Sequence, residues 1–505
     1  MIQLFSSILD SLRLLLTPLR DLILAVVPME WIASLPAITL VVFSLIAVVV
    51  GLRFNPLGLS FIGVILATLE MLIFDPSVYG TSFGGLFVRG AFADFFIYII
   101  LMVAVLVLMS ATIYGGSEGT YNFLLLMSFA GAIWVVMATD LVALFIAWEL
   151  MSTPTYVLAA LGKHKGAVDG AVKYFVMGLL STMLMVFGIS LVYGVTGETS
   201  LAQLASTVGT VYVAPLGEAA FPLTLAMILF VIAFGFKIGI FPGWMWVPDT
   251  YATADGSVVA YLAGATKKTG ISALVRILMV GFILAKVGEG LPVWSMMIVV
   301  VSILTMIIGN VLALAQRDIM RMFAYSSIAM MGYLFIGVAA ATQLGAAAAM
   351  FHAFTHALMK TGAFILIWAM SLKLAKSITY DDLAGLSKRA PAIAAMLSLL
   401  MLALAGMPLT AGFWSKLILF QSAVEVGMWW LAFIGLLNSV FSLGYYLRVL
   451  RYCYMVEPID SSQLRLARVP LLAVIFCVVA VIALFILPGA VLDYAFEAAA
   501  ALLGL

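Results

Sequence analysis

Residues 261–275 read YLAGATKKTGISALV. Two adjacent lysines, Lys267 and Lys268, stand inside roughly thirty residues with little other charge. At the centre of a bilayer a charge costs about 2.5–3.5 kcal/mol on insertion scales. Whether this stretch is a membrane helix therefore decides how the whole chain is read.

Composition answers first. Of 505 residues, 65% are hydrophobic and 9% charged, and the mean hydropathy is +1.24. A soluble domain has about 45–50% apolar and about 25% charged residues. The chain is expected to be an all-α polytopic membrane protein. A net charge of +1 without long charge runs argues against nucleic acid as a partner. Cys453 and Cys477 form no CxxC pair, and three histidines are too few for a haem-rich protein. No phosphate-binding glycine motif follows a strand, so neither a redox centre nor nucleotide hydrolysis is expected in this chain.

Fourteen apolar segments are long enough to span. They lie near 31–52, 57–75, 91–113, 121–138, 141–161, 170–195, 219–241, 258–285, 293–315, 322–340, 344–372, 391–420, 426–455 and 468–492. Residues 1–30 carry Asp10, Arg13, Arg20 and Asp21 among leucines and read as an amphipathic in-plane helix rather than a signal peptide. The rival, an extra span over about 14–30, would bury Arg20 and Asp21. Loops after odd-numbered spans hold Arg53, Lys163, Lys165, Arg317, Arg321, Lys373, Lys376, Lys388, Arg389, Arg451, Arg465 and Arg468. Loops after even-numbered spans hold mainly Arg89 and Lys286, with Asp75, Glu118, Asp140, Glu198, Glu218 and Glu289. By the positive-inside rule both termini lie outside.

Charges remain within the spans: Glu70, Asp94, Glu149, Lys173, Lys237, Lys267, Lys268, Arg276, Lys360 and Lys416, joined by His352 and His356. Intramembrane ionisable groups mark ion and proton pathways by default. No carboxylate cluster suits a divalent metal, and no nucleophile is paired with a base. What recurs is lysine. Desolvation disfavours its charged form and a nearby carboxylate restores it, so a lysine whose partner comes and goes can bind and release a proton.

Each residue has a blander reading. Glu149 could serve a purely structural ion pair. Lys237, five residues before Pro242, Lys416, eight after Pro408, and Lys173, near a helix start, could snorkel. The opening pair divides, because adjacent helical residues point roughly 100° apart. One lysine faces the polar centre and the other a second neighbour. His352, His356 and Lys360 recur every four residues on one helical face and are hard to explain as packing.

Lysines near prolines in the seventh and twelfth spans are the mark of broken helices in inverted repeats. The division expected is 1–30 amphipathic segment, 31–115 helices 1–3, 116–290 first five-helix repeat, 291–458 second, and 459–505 with helix 14.

Five stretches carry a resemblance: WELMSTPTYVLAALG at 148–162, FKIGIFPGWMWVPDTY at 236–251, LAGATKKTG at 262–270, NVLALAQRDIMRMFAYSSIAMMGYL at 310–334 and GMPLTAGFWSKLILFQSAV at 406–424. In this order they resemble the antiporter-like subunits of respiratory complex I over about 31–460. LNSVFSLGYYLRVLRYCYMVEP at 437–458, and Ala263 where other types place a histidine, resemble the N-type subunit. The resemblance implies that Glu149 pairs with Lys237, that Lys267 is the central station, and that Lys416 faces the next subunit. Lys173 would match a sixth-helix lysine, and Lys268 would flank the path. Departures are Gly243-Trp244 where the family has a histidine, Ala254-Asp255-Gly256 where it has a proline, and His356 and Lys360, which look like the other types.

The function so implied is proton translocation in a prokaryotic cytoplasmic membrane, within a complex I-like dehydrogenase that oxidises NADH or a reduced deazaflavin. This chain would carry no cofactor. Flavin or deazaflavin, iron–sulfur clusters and a quinone or methanophenazine would belong to partner membrane subunits and a peripheral redox arm. A subunit of a multi-subunit sodium/proton antiporter shares most of the motifs and is the first alternative; a membrane-bound hydrogenase subunit is the second, and a structural scaffold that merely retains the buried charges is the third.

Overall fold

Two helices stop at a left-handed glycine and restart after a proline, and these two breaks organise the interior. The computed structural model describes residues 16–111, 118–162, 166–213, 219–286, 290–458 and 462–504. In chain order the main helices are α1 Thr17–Val26, α2 Leu35–Val50, α3 Leu57–Ile73, α4 Ala91–Ala111, α5 Glu118–Met137, α6 Leu141–Ala160 and α7 Ala167–Thr196. Next come α8 Leu201–Val213, α9 Ala220–Ile238, α10 Trp246–Thr253, α11 Gly256–Tyr261, α12 Lys267–Arg276, α13 Val293–Leu314, α14 Ile319–Ala339 and α15 Gln343–Leu374. The last five are α16 Pro391–Ala405, α17 Ala411–Glu425, α18 Trp429–Met455, α19 Arg468–Ile486 and α20 Gly489–Leu503. Among the described residues eleven helices are long and apolar enough to cross a membrane. Apart from short turns, the one sheet there is a two-residue hairpin pairing Thr81–Ser82 with Phe87–Val88.

Helix α9 ends at Gly239 with φ +75°, and α16 ends at Gly406 with φ +85°. That region costs an L side chain roughly 1–2 kcal/mol, so glycine is what stops a helix there. Pro242 and Pro408 follow inside the breaks, before α10 and α17 resume. The eighth span is continuous but irregular: a π-helical turn, Leu262–Thr266, joins α11 to α12, and another, Ile277–Gly281, follows. Such turns shift the facing of every side chain that follows.

Other expectations meet the structure less directly. The segment expected over 468–492 divides at Pro488 into α19 and α20. Helix α8 lies in what reads as a loop; at 13 residues it is too short to register as a span. Helix α1 has no buried residue, and Arg20 turns its guanidinium onto neighbouring Asp21 at 3.0 Å. Asp10, Arg13, Lys163, Lys165, Glu218 and Glu289 lie outside the described residues. Arg89 lies in the loop before α4, as expected, but is buried there, and its Nε donates to Asp94 at 2.8 Å.

Candidate functional site

Lys237 closes the last turn of α9 and is fully buried. Its Nζ donates to Thr155 Oγ1 at 3.0 Å and to Tyr174 OH at 2.5 Å. The rings of Tyr174 and Tyr156 lie 4.9 and 5.3 Å from the same nitrogen. An ammonium in a dry interior needs such acceptors and aromatic faces. Glu149, six residues before Thr155 on α6, is half-buried, and its Oε1 accepts from Thr182 at 2.7 Å. The two do not form the direct ion pair that the resemblance implies: each is held by hydroxyls.

The break after Lys237 opens toward α12. A Cβ on Gly239 would meet Lys267 Nζ at 3.1 Å. Lys267 thus ends in the break, 5.5 Å from the Tyr251 ring, and its nitrogen has no hydrogen-bond partner among the described residues. Lys268 turns the other way. Its Nζ lies 2.7 Å from His356 Nδ1 and donates to the Ala263 carbonyl at 2.5 Å. That carbonyl belongs to the π-helical turn. The pair divides as helix geometry requires, but Lys268 is not a flanking residue: it joins α12 to the histidines of α15.

From His356 the row continues along α15. The His356 and His352 rings stand 6.0 Å apart, and His352 Nδ1 is 3.1 Å from Ser415 Oγ. The next residue, Lys416, donates to the Ala405 carbonyl at 2.9 Å and to Ser439 Oγ at 2.8 Å, with its nitrogen 4.7 Å from the Tyr333 ring. The Ala405 carbonyl is left over by the second break, so Lys416 fills the place of a lost helix hydrogen bond. Lys360 branches off toward α14, donating to the Phe323 carbonyl at 3.0 Å and to Ser326 Oγ. None of these lysines and histidines is more than 5% exposed. Among the described residues none has a carboxylate within ion-pair distance, and no group of three ligands could hold a metal.

Three expected residues stand elsewhere. Lys173 is exposed and pairs with Asp249 at 2.6 Å, outside the buried row; a lysine early in a helix reads the same whether it faces in or out. Glu70 accepts from Thr39 at 2.7 Å, and Asp94 is held by Arg89, so both belong to the first three spans. The hydroxyls that hold the lysines, of Thr155, Tyr174, Ser326 and Ser439, were not anticipated. Thr155, Ser326 and Ser439 lie inside quoted stretches, and Tyr174 does not.

The family model described as "NADH:quinone oxidoreductase/Mrp antiporter, TM" matches residues 138–442, more than half of the chain and every member of the row. The chain belongs to this family. Similar members include F420H2 dehydrogenase subunit N of Methanosarcina mazei, 35% identical over 85% of this chain and 90% of that protein. NADH-quinone oxidoreductase subunit N of Rhodospirillum rubrum is 34% identical over 93% and 97%. Both are N subunits, and the antiporter-like chain described here is N-type. A chain of respiratory complex I from Thermus thermophilus shares the fold at a TM-score of 0.74 and 26% identity, covering 91% of this chain and 98% of that one. In the membrane-bound sulfane sulfur reductase, an archaeal respiratory membrane complex, a chain 24% identical has the same fold at a TM-score of 0.83. It covers 94% of this antiporter-like chain and 97% of the other.

Proposed function

We propose that this N-type subunit translocates protons in the membrane arm of a complex I-like, redox-driven dehydrogenase. The observation that carries the reading is the buried row itself. It runs from Lys237 at the first helix break through Lys267, Lys268, His356 and His352 to Lys416 at the second, without a carboxylate partner within ion-pair distance among the described residues. Six buried groups able to hold a proton are costly unless they are used. A charge change at the Glu149 end would move a proton onto or off Lys237, and the shift would pass along the row. Moving one charge outward works against about 2.3 kcal/mol per 100 mV. A change of under two pKa units at one site, at about 1.36 kcal/mol each, covers that.

Under this reading the two breaks support a division into inverted repeats over 116–290 and 291–458, with both termini outside a bacterial or archaeal cytoplasmic membrane. Electron donor and acceptor sites belong to partners. They would carry the flavin or deazaflavin, the iron–sulfur clusters and the site for a quinone or methanophenazine. Purification from native membranes in mild detergent, followed by mass spectrometry of the co-purifying chains, tests this. Iron–sulfur and quinone-site subunits are expected. Only small hydrophobic antiporter partners would overturn it in favour of cation/proton exchange.

A further inference from the structure

Consecutive residues of α7 grip α10 at two levels. Lys173 points to the surface and pairs with Asp249 Oδ2 at 2.6 Å. Arg321 of α14 holds the other oxygen, Oδ1, at 3.0 Å. Tyr174, the next residue, points inward, donating to or accepting from Thr155 at 2.9 Å while its oxygen takes the Lys237 ammonium at 2.5 Å. Its ring stacks on Trp246 with centroids 4.1 Å apart and planes 15° from parallel. Trp246 and Asp249 are three residues apart and so share one face of α10. Trp246 also reaches back across the break, its Nε1 donating to the Phe236 carbonyl at 2.8 Å. The helices touch closely here. Thr250 Oγ1 donates to the Gly170 carbonyl at 3.0 Å, and a Cβ on Gly170 would meet Thr253 Oγ1 at 2.5 Å.

From this arrangement we infer that Asp249 is a positioning residue for proton transfer at Lys237. Clamped between Lys173 and Arg321, it fixes α10 against α7 and so fixes Trp246 behind Tyr174 and Tyr174 against the Lys237 ammonium. Lys173 is then a strut at the water-facing edge and carries no proton itself. The clamp is half-exposed, so ions in solution reach it, whereas the lysine it governs is sealed. Opening the clamp frees α10 to move away, which withdraws Trp246 from behind Tyr174 and leaves that acceptor no longer held against Lys237.

The inference rests on the proton-translocating reading above, and the test separates the two. Proton pumping is measured in inverted native membrane vesicles containing the whole complex, with its assembly checked on native gels. Asp249→Asn should lower pumping by about two- to fivefold, the range that exposed ion pairs command, and Asp249→Glu should restore it. Raising the salt from about 0.01 M to about 1 M shortens the screening length from about 30 to about 3 Å. It should lower pumping in the native protein but not further in Asp249→Asn. Lys173→Met and Arg321→Met, at exposed positions, give the same test should the Asp249 variant not assemble. Normal, salt-indifferent pumping in these variants, with Lys237→Ala inactive, overturns the clamp alone. Normal pumping in assembled Lys237→Ala overturns the underlying reading.

Discussion

Lys268 Nζ stands 2.7 Å from His356 Nδ1, the one direct side-chain hydrogen bond between α12 and α15 among the described residues. With the lysine charged, His356 must accept through Nδ1 and carry its own hydrogen on Nε2. Passing a proton from lysine to imidazole reverses those roles without moving a heavy atom far. This contact makes Lys268 the junction between the half of the row at the first break and the half at the second.

Lys268→Met is therefore expected to cut pumping by about tenfold or more without lowering stability. Removing the ammonium saves its several-kcal/mol desolvation, which offsets the roughly 1–3 kcal/mol for each partner, the Ala263 carbonyl and His356 Nδ1, left unpaired. The paired measurement is vesicle pumping and the thermal midpoint of the purified complex. A large fall in the midpoint would mark Lys268 as structural instead.

Tyr174→Phe keeps the stack on Trp246 but removes one of the two oxygens on Lys237. A hydrogen bond to a charged group is worth about 1.5–3 kcal/mol. Pumping should fall clearly while assembly persists, and Thr155→Val should show a similar loss. Unchanged pumping in both would mean that these hydroxyls do not set the state of Lys237.

Gly239→Ala meets two obstacles: φ of +75° and contacts of 2.8 Å to Val247 Cγ2 and 3.1 Å to Lys267 Nζ. The backbone conformation alone costs roughly 1–2 kcal/mol. The variant should displace Lys267 and lose pumping with every titratable residue intact. Gly406→Ala, whose Cβ would lie 2.8 Å from Lys416 Cδ, should behave alike.

The surface clamp has a defined pH response. Burial pushes the Asp249 carboxyl up, but the hydrogen bond and charge of Lys173, then Arg321, outweigh that and hold it below the usual carboxylate range. A depressed folded value means the stabilisation is fully present above the unfolded value of about 3.9 and is lost as pH falls through the folded one. Salt sensitivity of pumping should thus be the same at pH 5.5 and pH 8. A clamp effect that disappears between those values would point to another group.

The Arg89–Asp94 pair is a structural counterpart to the row. Asp94→Asn leaves a buried guanidinium short of its carboxylate, and breaking such a pair costs about 3–5 kcal/mol. Thermal unfolding of the complex should show a marked loss, while the pumping of whatever assembles stays normal per complex.

The sequence makes some of this visible and hides the rest for physical reasons. Spans are legible because a bilayer demands long apolar runs, and the breaks because Pro242 and Pro408 follow lysine-bearing or glycine-ended helices. The splitting of Lys267 from Lys268 follows from helical geometry alone. Which neighbour each one meets does not, because the turn over Leu262–Thr266 resets the facing of both. Arg89 and Lys173 show the limit most clearly. Arg89 reads as a loop charge and is buried against Asp94, whereas Lys173 reads as intramembrane and lies at the surface with Asp249. Position along a helix fixes depth, not facing. The hydroxyls on Lys237, Lys360 and Lys416 come from distant helices, and no local pattern reports them.

The central claim is that the buried row moves protons, and Lys267 tests it most directly because its nitrogen sits at the first break with no hydrogen-bond partner of its own among the described residues. The measurement is the initial rate of proton pumping by Lys267→Ala in inverted vesicles, normalised to assembled complex. The account predicts a loss of about tenfold or more with assembly intact. Pumping at the native rate by a fully assembled Lys267→Ala complex would contradict it.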